Sequence, residues 1–171
     1  GKALYVGISK YPPAQAKIAY EMLRAAGVPC LISQYRYSMF DRTVEEKSLP
    51  LAAEQGSGFI AFSPLAQGLL TKKYLHGIPE HSRAARSTGF LKVDQVTEDK
   101  VGKARRLDEI AARRGQTLAE MALAWVLKDE RMTSVIVGTS SVKQLADNLH
   151  ALDNLNFTNE ELAEIEGILR L

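Results

Sequence analysis

GFIAFSPLAQGLLTKKY, residues 58–74, decides how this chain is read. It opens on the apolar run Gly58-Phe59-Ile60-Ala61-Phe62, which predicts a strand buried inside a sheet. In a βα unit a short turn and a helix should follow. Instead come Ser63-Pro64-Leu65-Ala66-Gln67-Gly68, an apolar pair, and Thr71-Lys72-Lys73. A loop of small residues at the end of a strand can turn its backbone N–H groups onto an anion, and lysines nearby add charge.

Upstream, residues 3–8 are a continuous apolar run rich in strand formers and predict a strand buried on both faces. Ser9-Lys10-Tyr11-Pro12-Pro13 stops it. Residues 14–26, with Ile18, Met22, Leu23 and Ala26, read as an amphipathic helix ended by Gly27. Residues 28–33 predict the next strand, and residues 43–55 a weaker helix broken or kinked at Pro50.

Downstream, residues 75–97 are mixed and polar and read as a long loop. Residues 98–114 predict a charged helix with Val101, Leu107, Ile110 and Ala111 on one face. Thr117-Leu118-Ala119-Glu120 is a capping box opening a helix on which Leu118, Met121, Ala122, Trp125 and Val126 share a face. Residues 134–137 predict the fourth strand. Ser141-Val142-Lys143-Gln144 is a second capping box, before a helix with Leu145, Leu149 and Leu152 along one side. Thr158-Asn159-Glu160-Glu161 opens a last helix carrying Leu162, Ile165 and Leu169. Strands alternating with helices imply a parallel sheet with right-handed crossovers.

Neither common nucleotide signature is present. There is no G-x-x-x-x-G-K-[ST], and Gly7 stands without the rest of a GxGxxG. The polar residues sit instead at strand ends: Ser9-Lys10, Ser33-Gln34, Ser63, and Gly138-Thr139-Ser140-Ser141. Parallel α/β proteins bind ligands at the carboxyl ends of their strands, so these ends define one candidate rim. Helix capping explains Ser141 and Gln144 without a ligand. It does not explain Gln34, where no helix starts. Lys72, Lys73, Arg83 and Arg86 can supply charge to a phosphate, with solvated surface cations as the plain alternative.

Bulk properties set the outer bounds. A chain of 171 residues with 46% hydrophobic and 25% charged residues suits one globular domain with a real core. The net charge of +2 gives no footing for nucleic acid or a membrane surface. A lone cysteine, Cys30, excludes an internal disulfide and fits a reducing compartment, most simply the cytoplasm. No apolar run approaches the ~20 residues of a membrane span, and no secretory signal is present. The chain opens without a methionine and reads as cut from something longer. The 3 histidines, His76, His81 and His150, show neither metal spacing nor a nucleophile to pair with. No metal site and no catalytic constellation is predicted. Met39, Phe40 and Trp125 read as packing residues.

The motifs YVGISKY, QYRYSMFDR, FSPLAQGLLTKKY, GIPEHSR and VIVGTSSVKQLADNL, in this order, resemble the C-terminal half of an aldo-keto reductase. The likeness covers essentially the whole chain and is nearest the L-glyceraldehyde-3-phosphate reductase-like enzymes and the potassium-channel β subunits. It implies an α/β fold: strands 5–8 of a TIM-type (β/α)8 barrel, with the N-terminal catalytic half outside this sequence. It also implies NADPH as cofactor and a small aldehyde or ketone as substrate, a triose phosphate such as L-glyceraldehyde 3-phosphate among them. By the same resemblance Ser9 and Gln34 match the residues that bond the nicotinamide carboxamide, and Phe62 the aromatic that stacks on its ring. Ser63, Pro64, Leu65 and Gly68 match the pyrophosphate loop, and Lys73 and Arg83 the cations at the 2′-phosphate. Gly138, Ser140, Gln144, Asp147 and Asn148 match the adenosine end. Lys10 departs from the Asn of most members, although the channel branch carries a cation there. The family's catalytic Tyr, Lys, Asp and His lie on the first four βα units, so no residue here takes a catalytic role. The alternative implied by the channel branch is a regulatory subunit that binds NADPH with little turnover. An oligomer is compatible with either.

Overall fold

Four parallel strands lie side by side in chain order, β1 (Val6–Ser9), β2 (Cys30–Arg36), β3 (Gly58–Phe62) and β4 (Met132–Ile136). The computed structural model of the chain describes residues 1–80, 82, 84–85 and 91–171. The helices are α1 (Pro13–Ala25), α2 (Ser48–Glu54), α3 (Glu98–Arg113), α4 (Leu118–Leu127), α5 (Val142–Leu149) and α6 (Asn159–Arg170). The fold is α/β, as the alternation requires. No described helix is long and apolar enough to cross a membrane.

The sheet has two unlike faces. Phe59 and Ala61 of β3 and Ser33 and Tyr35 of β2 are buried against the helices, whereas Ile60, Phe62 and Gln34 between them are only half-buried. This alternation follows from the period-2 pleat. On the helical side, Tyr35 stacks on Phe59 with ring centroids 5.1 Å apart. Leu107 and Ile110 of α3, Leu118 and Met121 of α4 and Ile165 of α6 complete that core. Fully burying side chains of this size contributes about 1.5–3 kcal/mol each. The capping boxes at Thr117 and Thr158 form as the sequence predicts.

Several elements differ from their sequence reading. The first strand is not buried on both faces: Leu4 and Tyr5 lie outside it and are exposed, and only Ile8 within it is buried. The cause is its place in the sheet, where it has a neighbour on one side only. Pro50 breaks nothing, because the helix starts at Ser48 and the ring falls in the first turn, where no intrahelical N–H bond is lost. The second strand runs on through Arg36, past the predicted stop at Ser33. At Ser141 the box closes only halfway. Ser141 accepts the N–H of Gln144, but Gln144 Oε1 turns to Ser140, taking its N–H at 2.9 Å. The loop after Tyr74 holds buried anchors, Ala84 and Leu91, which pack with Leu69 and Tyr74.

Apolar side chains also stand exposed at both flanks of the sheet: Ile18, Met22 and Leu31 beside β1, and Val142, Leu145, Leu149 and Leu152 on and after α5.

Candidate functional site

The strand registers bring two of the predicted polar residues, Ser9 and Gln34, into one row. Ser9 pairs with Gln34, Gln34 with Ile60, and Ile60 with Ser134. Paired residues in a sheet share a face, so Ser9, Gln34, Ile60 and Ser134 lie side by side opposite the helices. One layer further along the strands, Arg36, Phe62 and Ile136 are paired in the same way. Gly7, below Ser9, is required there: a Cβ would meet the carbonyl oxygen of Ile32 at 2.8 Å.

Past the strand ends the backbone is strained. Lys10, Ser63, Ala66 and Gln67 all hold positive φ, between 48° and 62°, although none is glycine. Left-handed backbone costs a residue with a Cβ roughly 1–2 kcal/mol, and such strain concentrates at functional sites. Lys10 is fixed there by its N–H, which donates to the Gln34 carbonyl at 3.0 Å. In the loop after β3 the N–H of Ala66 returns to the Ser63 carbonyl at 2.9 Å and that of Gly68 to Leu65 at 2.8 Å. Gly68 itself has φ +101°, where L side chains are strained.

This loop and the segment after β4 wall a cleft of about 520 Å³. Ser63, Pro64, Leu65, Gly68 and Lys73 line one side and Gly138, Ser140 and Gln144 the other. Its size suits a cofactor or drug-sized ligand. The two lysines of the loop differ. Lys72 pairs with Asp108 at 3.6 Å, whereas Lys73 lines the cleft, exposed, with no ion pair among the described residues. Thr71 sets this turn, its hydroxyl accepting the Lys73 N–H at 3.2 Å and donating to the Gly68 carbonyl at 2.7 Å.

The remaining predicted residues sit on α5, beyond Gln144. Asn148 is 9% exposed and its buried Nδ2 has no hydrogen-bond partner among the described residues. A buried amide without a partner costs roughly 1–3 kcal/mol, and Asn148 does not line the cleft. Asp147 accepts from Lys143 at 2.9 Å and does not line the cleft. Arg83, with His81 and Arg86, lies outside the described residues. Arg36 is the inward-facing side chain the sequence reading passed over. Its signal was available: alternation counted on from Gln34 puts it on the same face, but the strand had been ended too early.

Tyr35 and Tyr37 are not tuned as proton donors. Burial, with the nearby Tyr20, pushes Tyr35 up to about 12, and burial with the Glu45 carboxylate raises Tyr37 further. Both shifts make the phenol a weaker acid. Their hydroxyls are spent on structure, Tyr35 donating to the Tyr11 carbonyl at 2.8 Å and Tyr37 to Glu45 at 2.7 Å. Among the described residues no cluster of His, Cys, Asp and Glu is placed to hold a metal.

The family model for aldo/keto reductases matches residues 1–170. The chain belongs to the aldo/keto reductase family. Two curated relatives are both L-glyceraldehyde 3-phosphate reductases, one from Escherichia coli O157:H7 at 48% identity and one from Escherichia coli K12 at 46%. Each alignment spans 170 residues, 97% of this chain and 49% of the relative. The chain therefore spans about half the length of the curated relatives it matches.

Proposed function

We propose that this chain is the cofactor-binding, C-terminal half of a (β/α)8 barrel that reduces a small aldehyde or ketone with NADPH. A triose phosphate such as L-glyceraldehyde 3-phosphate is the substrate the relatives' names suggest. One observation carries the reading. The row at Ser9 and Gln34 lies on the sheet face that also carries Phe62, and the cleft opens at the next residue, Ser63, and at Ile136, the strand partner of Phe62. Bound NADPH would supply the hydride. Ser9 and Gln34 would hold its carboxamide, which needs one donor and one acceptor. The Phe62 ring would pack against the nicotinamide and leave the far face to the substrate. The strained loop 63–68 would meet the pyrophosphate and Lys73 the 2′-phosphate, with Gly138, Ser140, Gln144 and Asn148 at the adenosine end.

The exposed apolar residues on both flanks support a barrel completed by further strands, which would also bring the proton donor. Cytoplasmic residence fits the single buried Cys30. The test is carbonyl-dependent NADPH oxidation by the complete protein carrying this chain, with glyceraldehyde 3-phosphate and simple aldehydes as substrates. Turnover is expected with at least one of them. Cofactor binding without turnover on any would favour a regulatory NADPH-binding subunit instead.

A further inference from the structure

We propose that Arg36 selects, for this same site, carbonyl substrates that carry an oxyanion, a phosphate or a carboxylate; the inference rests on the reductase reading above. Arg36 is paired with Phe62 in the sheet and shares the face of Ser9 and Gln34, one layer above them. Its guanidinium lies over the Phe62 ring, Cζ 5.8 Å from the centroid. The side chain is 55% exposed, and its acidic neighbour Asp41 stands 4.0 Å away, at the outer limit of an ion pair. Asp41 is partly committed elsewhere, accepting the Thr43 hydroxyl at 2.9 Å. The guanidinium fork therefore faces the site with donors to spare.

The cofactor's own anions lie elsewhere in the proposed arrangement. Lys73 and the cleft are on the β4 side of Phe62, whereas Arg36 is on the β2 side. Beside it opens a cavity of about 230 Å³ bordered by Arg36, Asp41 and Lys100, which adjoins the cleft through the shared Ser63 and Gln67. Arginine is the side chain suited to an anion, gripping two oxygens of a phosphate or carboxylate at once. The substrate's anionic end would lie over Arg36 while its carbonyl reached the nicotinamide beside Phe62.

The experiment compares wild type, Arg36→Met and Arg36→Lys in the complete protein with three aldehydes: glyceraldehyde 3-phosphate, succinic semialdehyde and neutral glyceraldehyde. In Arg36→Met, kcat/KM for at least one anionic aldehyde should fall tenfold or more, mainly through KM, while glyceraldehyde changes less than twofold. Which anionic aldehyde suffers most tells phosphate from carboxylate. Arg36→Lys should recover part of the loss, and the NADPH Kd should not move. Equal losses on charged and neutral substrates would overturn the proposal. So would a tenfold loss of NADPH affinity, which would assign Arg36 to the cofactor. If wild type reduces no aldehyde, the reductase reading fails separately. The anion site is then read from calorimetry with inorganic phosphate, where a tenfold weaker Kd in Arg36→Met supports it and an unchanged Kd overturns it.

Discussion

The helical layer and the strand-end rim obey opposite rules. On α3, α4 and α6 every local choice agrees with burial: caps are satisfied, and Leu107, Met121, Trp125 and Ile165 are nearly inaccessible. Along the rim, non-glycine residues hold left-handed backbone, and among the described residues Lys73 has no ion pair and Asn148 Nδ2 no hydrogen-bond partner. Stability alone explains the first region and leaves the second unexplained. Such conflicts between local preference and observed structure are expected at functional sites, and the proposed cofactor site lies along this rim.

The contrast makes predictions of graded size. Trp125 packs against Tyr37 and lies under both Arg42 and Lys128. Trp125→Ala should cost about 3–5 kcal/mol in denaturant unfolding of the complete protein and leave the NADPH Kd of the folded fraction unchanged. A shifted Kd would break the separation between the two regions.

Lys73→Met should do the reverse. It should weaken NADPH by tenfold or more, about 1.4 kcal/mol, with little effect on NADH or on unfolding. Equal loss for both cofactors would remove the 2′-phosphate assignment. Gly68→Ala touches both regions, because its φ of +101° strains any Cβ, and that Cβ would sit 3.4 Å from the Tyr74 ring. It should lower stability by roughly 1–3 kcal/mol and weaken NADPH as well, which binding measurements on the folded protein would detect.

The smallest effect concerns pH. Arg42 grips Glu45 with Nε and Nη2 and also bonds Glu166 of α6, tying β2's following loop to the helical layer. The Arg42 guanidinium, with Arg170, holds the Glu166 carboxyl below its ordinary range. A carboxylate lowered in the folded state adds stability above its unfolded pKa, about 4.3, and loses it as pH falls through the lowered value. The stability gap between wild type and Arg42→Met should therefore be present near neutrality, about 1 kcal/mol for a partly exposed pair, and shrink in acid. A gap that held constant into acid would mean that Arg42 acts by packing on Trp125.

Much of this was legible in the sequence, for physical reasons that also mark where legibility ended. Helices with caps and a clean apolar face were found because local and tertiary preferences agree there, as in Thr117–Glu120 and the face of Trp125. The ends of β1 and β2 were misjudged because a strand's limits depend on its neighbours. Arg36 stays hidden until the register is known. The strain at Ser63, Ala66 and Gln67 has no sequence signature, since glycine, its usual mark, is absent from those positions. The resemblance offers candidate cofactor residues, while the fold alone shows that Lys72 pairs with Asp108 and that Lys73 has no ion pair among the described residues.

The first measurement to make is calorimetric titration of the complete protein with NADPH and NADH, wild type beside Lys73→Met. Tight NADPH binding, at least tenfold stronger than NADH, with the difference erased in Lys73→Met, is the predicted result. Equal affinity for the two cofactors, or a preference that survives the substitution, would contradict a cofactor clasp built on residues 62–74.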